Sequence, residues 1–320
     1  MYISNVYFDL IGIYGKISFG GFMKSITKKL SLAGLGAACA LTLTLGAGLL
    51  ATNGGVAKAD SGNGAPSAKT FFYDYLLDAN DNEYTLAKKF YKALETLNDN
   101  GEFLDGVVDY RIDDIVSSDQ LKAWVVDGDL EIPRAFGAAR DAFLTDHPEL
   151  FYINFYKMTI SVARSNGNYV GYINSGREAN LYYDNGFNTT EKVAAAINKF
   201  NARINEIVDI VNALEEADTY TARDAYLAKE VNRYLAENID YDYDALENKD
   251  DPNYMAETYI NTSYGGLVEG YAVCGGYSTA YKVIMDKLGI PCITVNGYSN
   301  NKDQNGNNFS TSVSHMWNYV

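Results

Sequence analysis

Basic side chains, cysteine and histidine are all scarce in this 320-residue sequence. Its 26 lysines and arginines face 41 aspartates and glutamates, a formal net charge of −15. That deficit removes nucleic acid from the expected partners, because phosphate binding needs a basic footprint. An acidic surface suits an exported protein and favours basic substrates. There are three cysteines (Cys39, Cys274, Cys292) and two histidines (His147, His315). None stands in a close C-x-x-C or H-x-x-H spacing, which argues against a zinc site. The run Asp240-Tyr241-Asp242-Tyr243-Asp244 opens like an EF-hand loop, yet Ala245 and Asp251 fall where such a loop needs glycine and glutamate. A solvated helix end is the simpler reading, so neither a cofactor nor an obligatory metal is expected.

From Met23 the chain has a basic start, an apolar run from Leu30 to about Ala51, and Ala57-Lys58-Ala59. That order is a secretory signal peptide with an A-x-A cleavage site. Met23 is then the natural start, with residues 1–22 as upstream sequence. The run is also long enough to be retained as an anchor, but its glycines and the site that follows favour cleavage. Cys39 is an ordinary residue of the signal. Removing residues 1–59 leaves 21 basic and 40 acidic side chains, a net charge of −19. Secretion or display at the cell surface is expected. A Gly/Ser/Ala/Pro linker occupies residues 60–70.

Residues 71–218 read as a mainly helical N-terminal region. Leu86, Phe90, Ala93, Leu94 and Leu97 share one helix face, closed by Asn100-Gly101. A second helix is expected from about Ile132 to Leu144, leading into Asp146-His147-Pro148-Glu149-Leu150-Phe151-Tyr152. His147, before a proline, reads as a structural residue ending a helix. Phe151 to Ala163 and Asn168 to Asn174 read as strands joined at Ser165-Asn166-Gly167. Their aromatics could form a sugar-stacking surface, but packing is the simpler use. Val193, Ile197, Phe200, Ile204, Ile207, Val211 and Leu214 then form a heptad seam, with Asn188 and Glu191 as a cap pair. The seam suits internal packing, with dimerisation as the alternative.

Residues 219–320 open on a helix capped by Thr221 and Asp224, with Leu227, Val231, Tyr234 and Leu235 on its buried face. Cys274 follows an apolar run and precedes two glycines. From Gly275 the apolar residues Tyr277, Tyr281, Ile284, Met285 and Leu288 fall on one helix face, ended by Gly289 and Pro291. Cys274 therefore starts a helix, where unpaired N–H groups and the macrodipole favour a thiolate. Cys292, inside the apolar strand pattern Ile290 to Val295, reads as buried packing. His315 lies in a short alternating segment, a rigid strand from which an imidazole can face the thiol. A cysteine and a distant histidine, each on a regular element, is the usual layout of a thiol nucleophile and its base.

The blocks Tyr264-Gly265, Gly270 to Tyr277, Leu288 to Pro291, Gly297 and His315-Met316-Trp317-Asn318 together resemble the bacterial, secreted branch of the transglutaminase-like superfamily. The Asp146 to Tyr152 phrase also recurs in the N-terminal regions of such proteins. The resemblance implies an α+β fold. Its papain-like core sets a cysteine-bearing helix on an antiparallel sheet, here incomplete, after the helical region with its β-hairpin. It also implies a Cys-His-Asp triad with histidine and aspartate on adjacent strands. The sequence stops five residues after His315, before any such aspartate, so the domain reads as truncated. Cys274 and His315 are the expected catalytic pair, with the Cys274 N–H as oxyanion donor and Tyr264 and Trp317 as supporting residues; Tyr264 reads either as a second donor or as a plain strand or turn aromatic. The implied chemistry is acyl transfer on a protein or peptide amide, in one setting at the cell wall. Bacterial members are more often hydrolases, so water is the expected acceptor and amine cross-linking the variant. The alternative is a non-catalytic cell-surface binding or scaffolding module on the same fold.

Overall fold

A computed structural model of the protein describes residues 70–299, apart from 81, 177–179, 183–186, 215–221, 245–247 and 249–258, together with 313–320. The signal peptide, the linker and the Thr221 cap lie outside the described residues. The chain forms α1 (Phe71–Asp74), α2 (Thr85–Asp99), α3 (Glu102–Asp105), β1 (Asp109–Arg111) and α4 (Ser118–Lys122), which runs on as a π-helical turn (Ala123–Asp127). Then come α5 (Glu131–Asp146), β2 (Thr159–Ser165), β3 (Asn168–Asn174), α6 (Thr190–Asn212) and α7 (Arg223–Asn238). The last elements are β4 (Asp240–Tyr241), a π-helical turn (Gly265–Glu269), β5 (Tyr271–Ala272), α8 (Cys274–Leu288), β6 (Ile293–Ser299) and β7 (Val313–Tyr319). No described helix is long and apolar enough to cross a membrane.

Turn chemistry sets the β2–β3 hairpin. Asn166 (φ 51°) and Gly167 (φ 87°) both take positive φ, the two-residue turn that matches strand twist. The strand expected from Phe151 begins only at Thr159. Before it, Asn154 Oδ1 accepts from the Tyr156 N–H at 3.1 Å and starts a 3₁₀ turn at Phe155–Lys157. Phe151, Tyr152 and Phe155 are buried in the core. β1, not expected from the sequence, pairs with the other edge of β3.

The seam on α6 buries Val193, Phe200, Ile204, Ile207 and Val211 within the chain, against α7, α8 and the Gly265–Glu269 turn. Its cap differs from the expected Asn188. Thr189 is the last extended residue (φ −142°), and its side-chain oxygen accepts from the Lys192 N–H at 3.3 Å. Asn188 Oδ1 instead accepts from Lys192 Nζ at 2.9 Å. One connected cluster of buried apolar residues extends from Leu76 to Cys292, with members on both sides of the 218/219 division.

Asp146, at the end of α5, is wholly buried. It accepts from the Phe72 and Tyr73 N–H groups of α1 at 3.1 and 3.2 Å, and from the Tyr91 hydroxyl of α2 at 2.9 Å. The carboxylate thus caps α1 from 73 residues away. So held, α1 packs Phe71 on Ile293 of β6. His147 is also buried, its ring 4.2 Å from that of Phe143 and its Nδ1 2.9 Å from Glu149 Oε1.

Burial pushes the Asp146 carboxyl up from 3.8 to about 6, against the pull of its three donors. A folded pKa above the unfolded one favours the protonated form in the fold. The stability Asp146 contributes is therefore full below about pH 4 and lost as pH rises through about 6. Relative to Asp146→Asn, which does not titrate, the wild type should lose roughly 3 kcal/mol over that window. Denaturant melts of both forms between pH 4 and 7.5 measure it. A difference curve that is flat, or that rises with pH, contradicts the assignment.

Candidate thiol site at the start of helix α8

Backbone close approach builds the seat of Cys274. Gly270, at φ 78°, turns the chain into β5, which pairs in parallel with β4 as Asp240↔Tyr271 and Tyr241↔Ala272. Val273 is extended, donates its N–H to Ile260 O at 3.0 Å, and caps α8. Of the two glycines after Cys274, Gly276 is a steric requirement and Gly275 sits in tight contact with a side chain. A Cβ on Gly276 would lie 2.2 Å from Ile260 O, and one on Gly275 would lie 3.0 Å from Asn261 Oδ1. Cys274 is thus the first residue of α8, half-buried, with the helix N-terminus around it.

The other free thiol is placed quite differently. Cys292 is 1% exposed, and burial pushes its thiol up to about 12, partly offset by the nearby Lys282 ammonium. Lys282 is itself wholly buried, paired with Asp286 at 2.9 Å and donating to Cys292 O at 3.3 Å. That polar knot belongs to the packing of α8 on β6.

Tyr241 stands beside Cys274. Its ring lies 6.1 Å from that of Tyr277 at 22°, packs on the Ile260–Val273 cluster, and has Tyr243 tilted against it at 5.1 Å. Burial first, and then the adjacent thiol, raise the Tyr241 phenol above its ordinary range. Tyr277, one turn along α8, donates its hydroxyl to Ile239 O and holds the strand Tyr241 sits on. In the sequence Tyr241 is hidden among aspartates whose spacing is metal-like. The signal available was an aromatic on the short strand that pairs with the segment entering the cysteine helix.

β7 pairs antiparallel with β6, placing His315 opposite Gly297. Asn318 anchors this strand on α8. Its Nδ2 donates to Ser278 O at 3.0 Å and lies 3.5 Å from both Cys292 Sγ and Ile293 O. Ser278 is one turn from Cys274, so β7 crosses the helix close to the thiol's end. Strand alternation then decides where His315 points. Met316 and Asn318 are half-buried, whereas His315, Trp317 and Tyr319 lie on the exposed face. The His315 ring lies 6.3 Å from that of Trp317 at 28°. Among the described residues no hydrogen bond joins His315 to Cys274. The imidazole lies on the strand face of Trp317 and Tyr319, opposite the face that Asn318 ties to α8. Trp317 crosses Gly297, where an added Cβ would lie 2.5 Å from its ring.

Tyr264, the expected second oxyanion donor, is 5% exposed and stacks on Phe151 at 4.7 Å, with Phe187 edge-on at 5.3 Å. Burial, and then the Glu269 carboxylate its hydroxyl engages, push the phenol up to about 12. Its place is in an aromatic cluster joining the N-terminal region to the segment beneath Cys274.

Residues 211–320 match the model of the transglutaminase-like superfamily, so this part of the chain is a transglutaminase-like domain of mixed helix and sheet. Its cysteine helix lies on an antiparallel strand pair. A solved structure titled "Crystal structure of a TGase" is similar at 21% identity, covering 50% of this chain and 40% of that one with a TM-score of 0.30. The chain thus spans less than half the length of that protein. No curated protein matches the chain.

Two measurements bear on this geometry. Iodoacetamide near pH 7 should alkylate Cys274 at least about tenfold faster than Cys292, read by peptide mass spectrometry, since burial disfavours the Cys292 thiolate. Equal rates in folded protein contradict that contrast. Gly276→Ala should cost about 2 kcal/mol or more in denaturant unfolding, because backbone has to move to admit the methyl. A neutral substitution means the α8 seat is looser than described.

Proposed function

We propose that the protein is a thiol acyl-transfer enzyme acting on amides of proteins or peptides, with Cys274 as nucleophile. The observation that carries this reading is the contrast between its two described thiols. Cys274 is half-buried at a helix N-terminus on a glycine seat, whereas Cys292 is sealed in packing. A thiolate at Cys274 attacks the amide carbonyl carbon, and the tetrahedral oxyanion is met by the Cys274 N–H. Collapse expels the amine and leaves a thioester on Sγ. His315, on the strand anchored to α8, takes the thiol proton and returns it to the leaving amine. To do so its ring has to leave the Trp317 stack. Water then releases an acid, as in a protease or amidase, or a second amine forms a cross-link. Secretion through the residue 23–59 signal, with cell-wall peptides as one substrate source, completes the proposal.

The stacked His315 ring favours a second reading, a binding module that keeps the fold without turnover. Incubation with a glutaminyl peptide and hydroxylamine separates the two. The enzyme reading expects a peptide hydroxamate, its loss in Cys274→Ala, and at least a hundredfold loss in His315→Ala with circular dichroism unchanged. If the wild type forms neither hydroxamate nor thioester, and Cys274→Ala still binds the peptide, the binding-module reading stands instead.

A further inference from the structure

With Tyr264 committed to the aromatic cluster, an acyl-transfer site at Cys274 still needs a side-chain donor for its oxyanion. One amide stands beside the thiol's end of α8. A Cβ on Gly275, the residue after Cys274, would lie 3.0 Å from Asn261 Oδ1, 3.5 Å from Asn261 O and 3.6 Å from its Cα. Asn261 therefore lies against the first turn of α8. Cα–Cβ bonds of a helix lean toward its N-terminus, so this contact is on the rim that carries Cys274. Gly275, lacking a Cβ, leaves the amide that place. The segment under Asn261 is pinned on both sides. Ile260 O accepts from the Val273 N–H at 3.0 Å, and the Thr262 N–H and hydroxyl donate to Tyr259 O at 2.9 and 2.7 Å. Ser263 donates to Pro148 O at 2.7 Å. Ile260 and Ser263 are buried, whereas Asn261 is exposed. Among the described residues no hydrogen bond engages its amide. With Oδ1 toward the helix, the two N–H donors of that amide are left for an incoming oxygen.

We infer that Asn261 is a catalytic residue of this site: its side-chain amide donates to the carbonyl oxygen of the acyl substrate as Cys274 attacks. The inference rests on the acyl-transfer reading above and deepens it by naming the second oxyanion donor. Sγ adds to the carbonyl carbon, and the C=O π pair moves onto the oxygen that the Asn261 N–H meets. Asn261 itself gives up no proton. On collapse that pair re-forms the C=O, the leaving group departs with its bonding pair, and a thioester remains on Sγ. A donor held by pinned backbone before the reaction needs no reorganisation during it. Reagents that react at sulfur without building an oxyanion gain nothing from it.

The test uses the full chain and two probes. In p-nitrophenyl acetate, Sγ attacks the carbonyl carbon, an oxyanion forms, and the ester C–O bond breaks. Nitrophenolate leaves with the bonding pair, and the thiol proton passes to base or solvent. In iodoacetamide, Sγ displaces iodide and no oxyanion forms. The ratio of the two rates at one pH cancels any change in the thiolate fraction of Cys274. Asn261→Ala should lower the nitrophenolate burst rate roughly a hundredfold relative to alkylation, the loss expected for one oxyanion donor. Asn261→Asp keeps the shape but replaces the donors with a carboxylate, and should lower the ratio at least as far. An unchanged ratio in Asn261→Ala overturns the role. A wild-type ratio in Asn261→Asp also overturns it, since shape alone would then suffice. A parallel fall of both rates with a lowered unfolding midpoint makes Asn261 structural and overturns it too. A burst that needs Cys274 but ignores Asn261 removes this inference alone. A burst that survives Cys274→Ala, or no burst in a wild type that is alkylated at Cys274, overturns the acyl-transfer reading and takes Asn261 with it.

Discussion

The contact on which the site depends is the approach of α8 to the backbone at Ile260. A Cβ on Gly276 would stand 2.2 Å from Ile260 O, and Val273 is tied to that same oxygen at 3.0 Å. These two facts fix where the helix begins, and so where the sulfur and its N–H lie. Ile260 is in turn positioned by the rest of its segment. Ser263 donates its hydroxyl to Pro148 O at 2.7 Å, and Tyr264 stacks on Phe151. Both partners belong to the turn that follows α5, so the N-terminal region forms the floor on which the glycine seat rests. The missing methyl at Gly276 is what allows the floor to come so close.

Burial and charge sort the thiols by the same packing. α8 presents its first residue to a half-exposed end and its later turns to β6 and β7. Lys282 sits in that second environment at no exposure, which is affordable only because Asp286 and a backbone oxygen take its charge. Cys292 shares the space, and its thiolate is disfavoured there despite the neighbouring ammonium. Asn318 ties β7 into this arrangement through Ser278. One helix thus carries both a half-exposed cysteine at its start and a sealed flank.

Elements with local periodicity or turn chemistry could be read from the sequence: α2, α5, the α6 seam, the Asn166-Gly167 turn and the Cys274 helix. The rest depends on distant partners. β4 and β5 are two residues each and exist because their backbones pair across 31 positions, which leaves no pattern for alternation to reveal. β1 is a strand of the same kind. The Phe151 segment alternates like a strand, but Asn154 bonds locally and turns it. At the site, Cys274 could be found from the glycines and the helix face. The direction of His315 could not, because it depends on which strand face meets α8, and Asn318 decides that. Tyr264 and Tyr241 show the same limit. Both are tyrosines near the cysteine, and only tertiary packing tells that the first belongs to an aromatic floor and the second packs beside the start of α8.

The coupling between the two ends of the chain follows from α1. A four-residue helix has no stability of its own, since nucleation alone costs more than its few bonds return. It exists because Asp146 caps it from α5 and because Phe71 finds Ile293 on β6. It therefore acts as a clip between the N-terminal core and the strand beside β7. β6 carries Gly297, the residue Trp317 crosses, and Trp317 is the ring on which His315 rests. A continuous series of contacts thus leads from a buried carboxylate in the N-terminal region to the histidine. The orientation of the candidate base is a property of the whole chain's packing, and not of its strand alone.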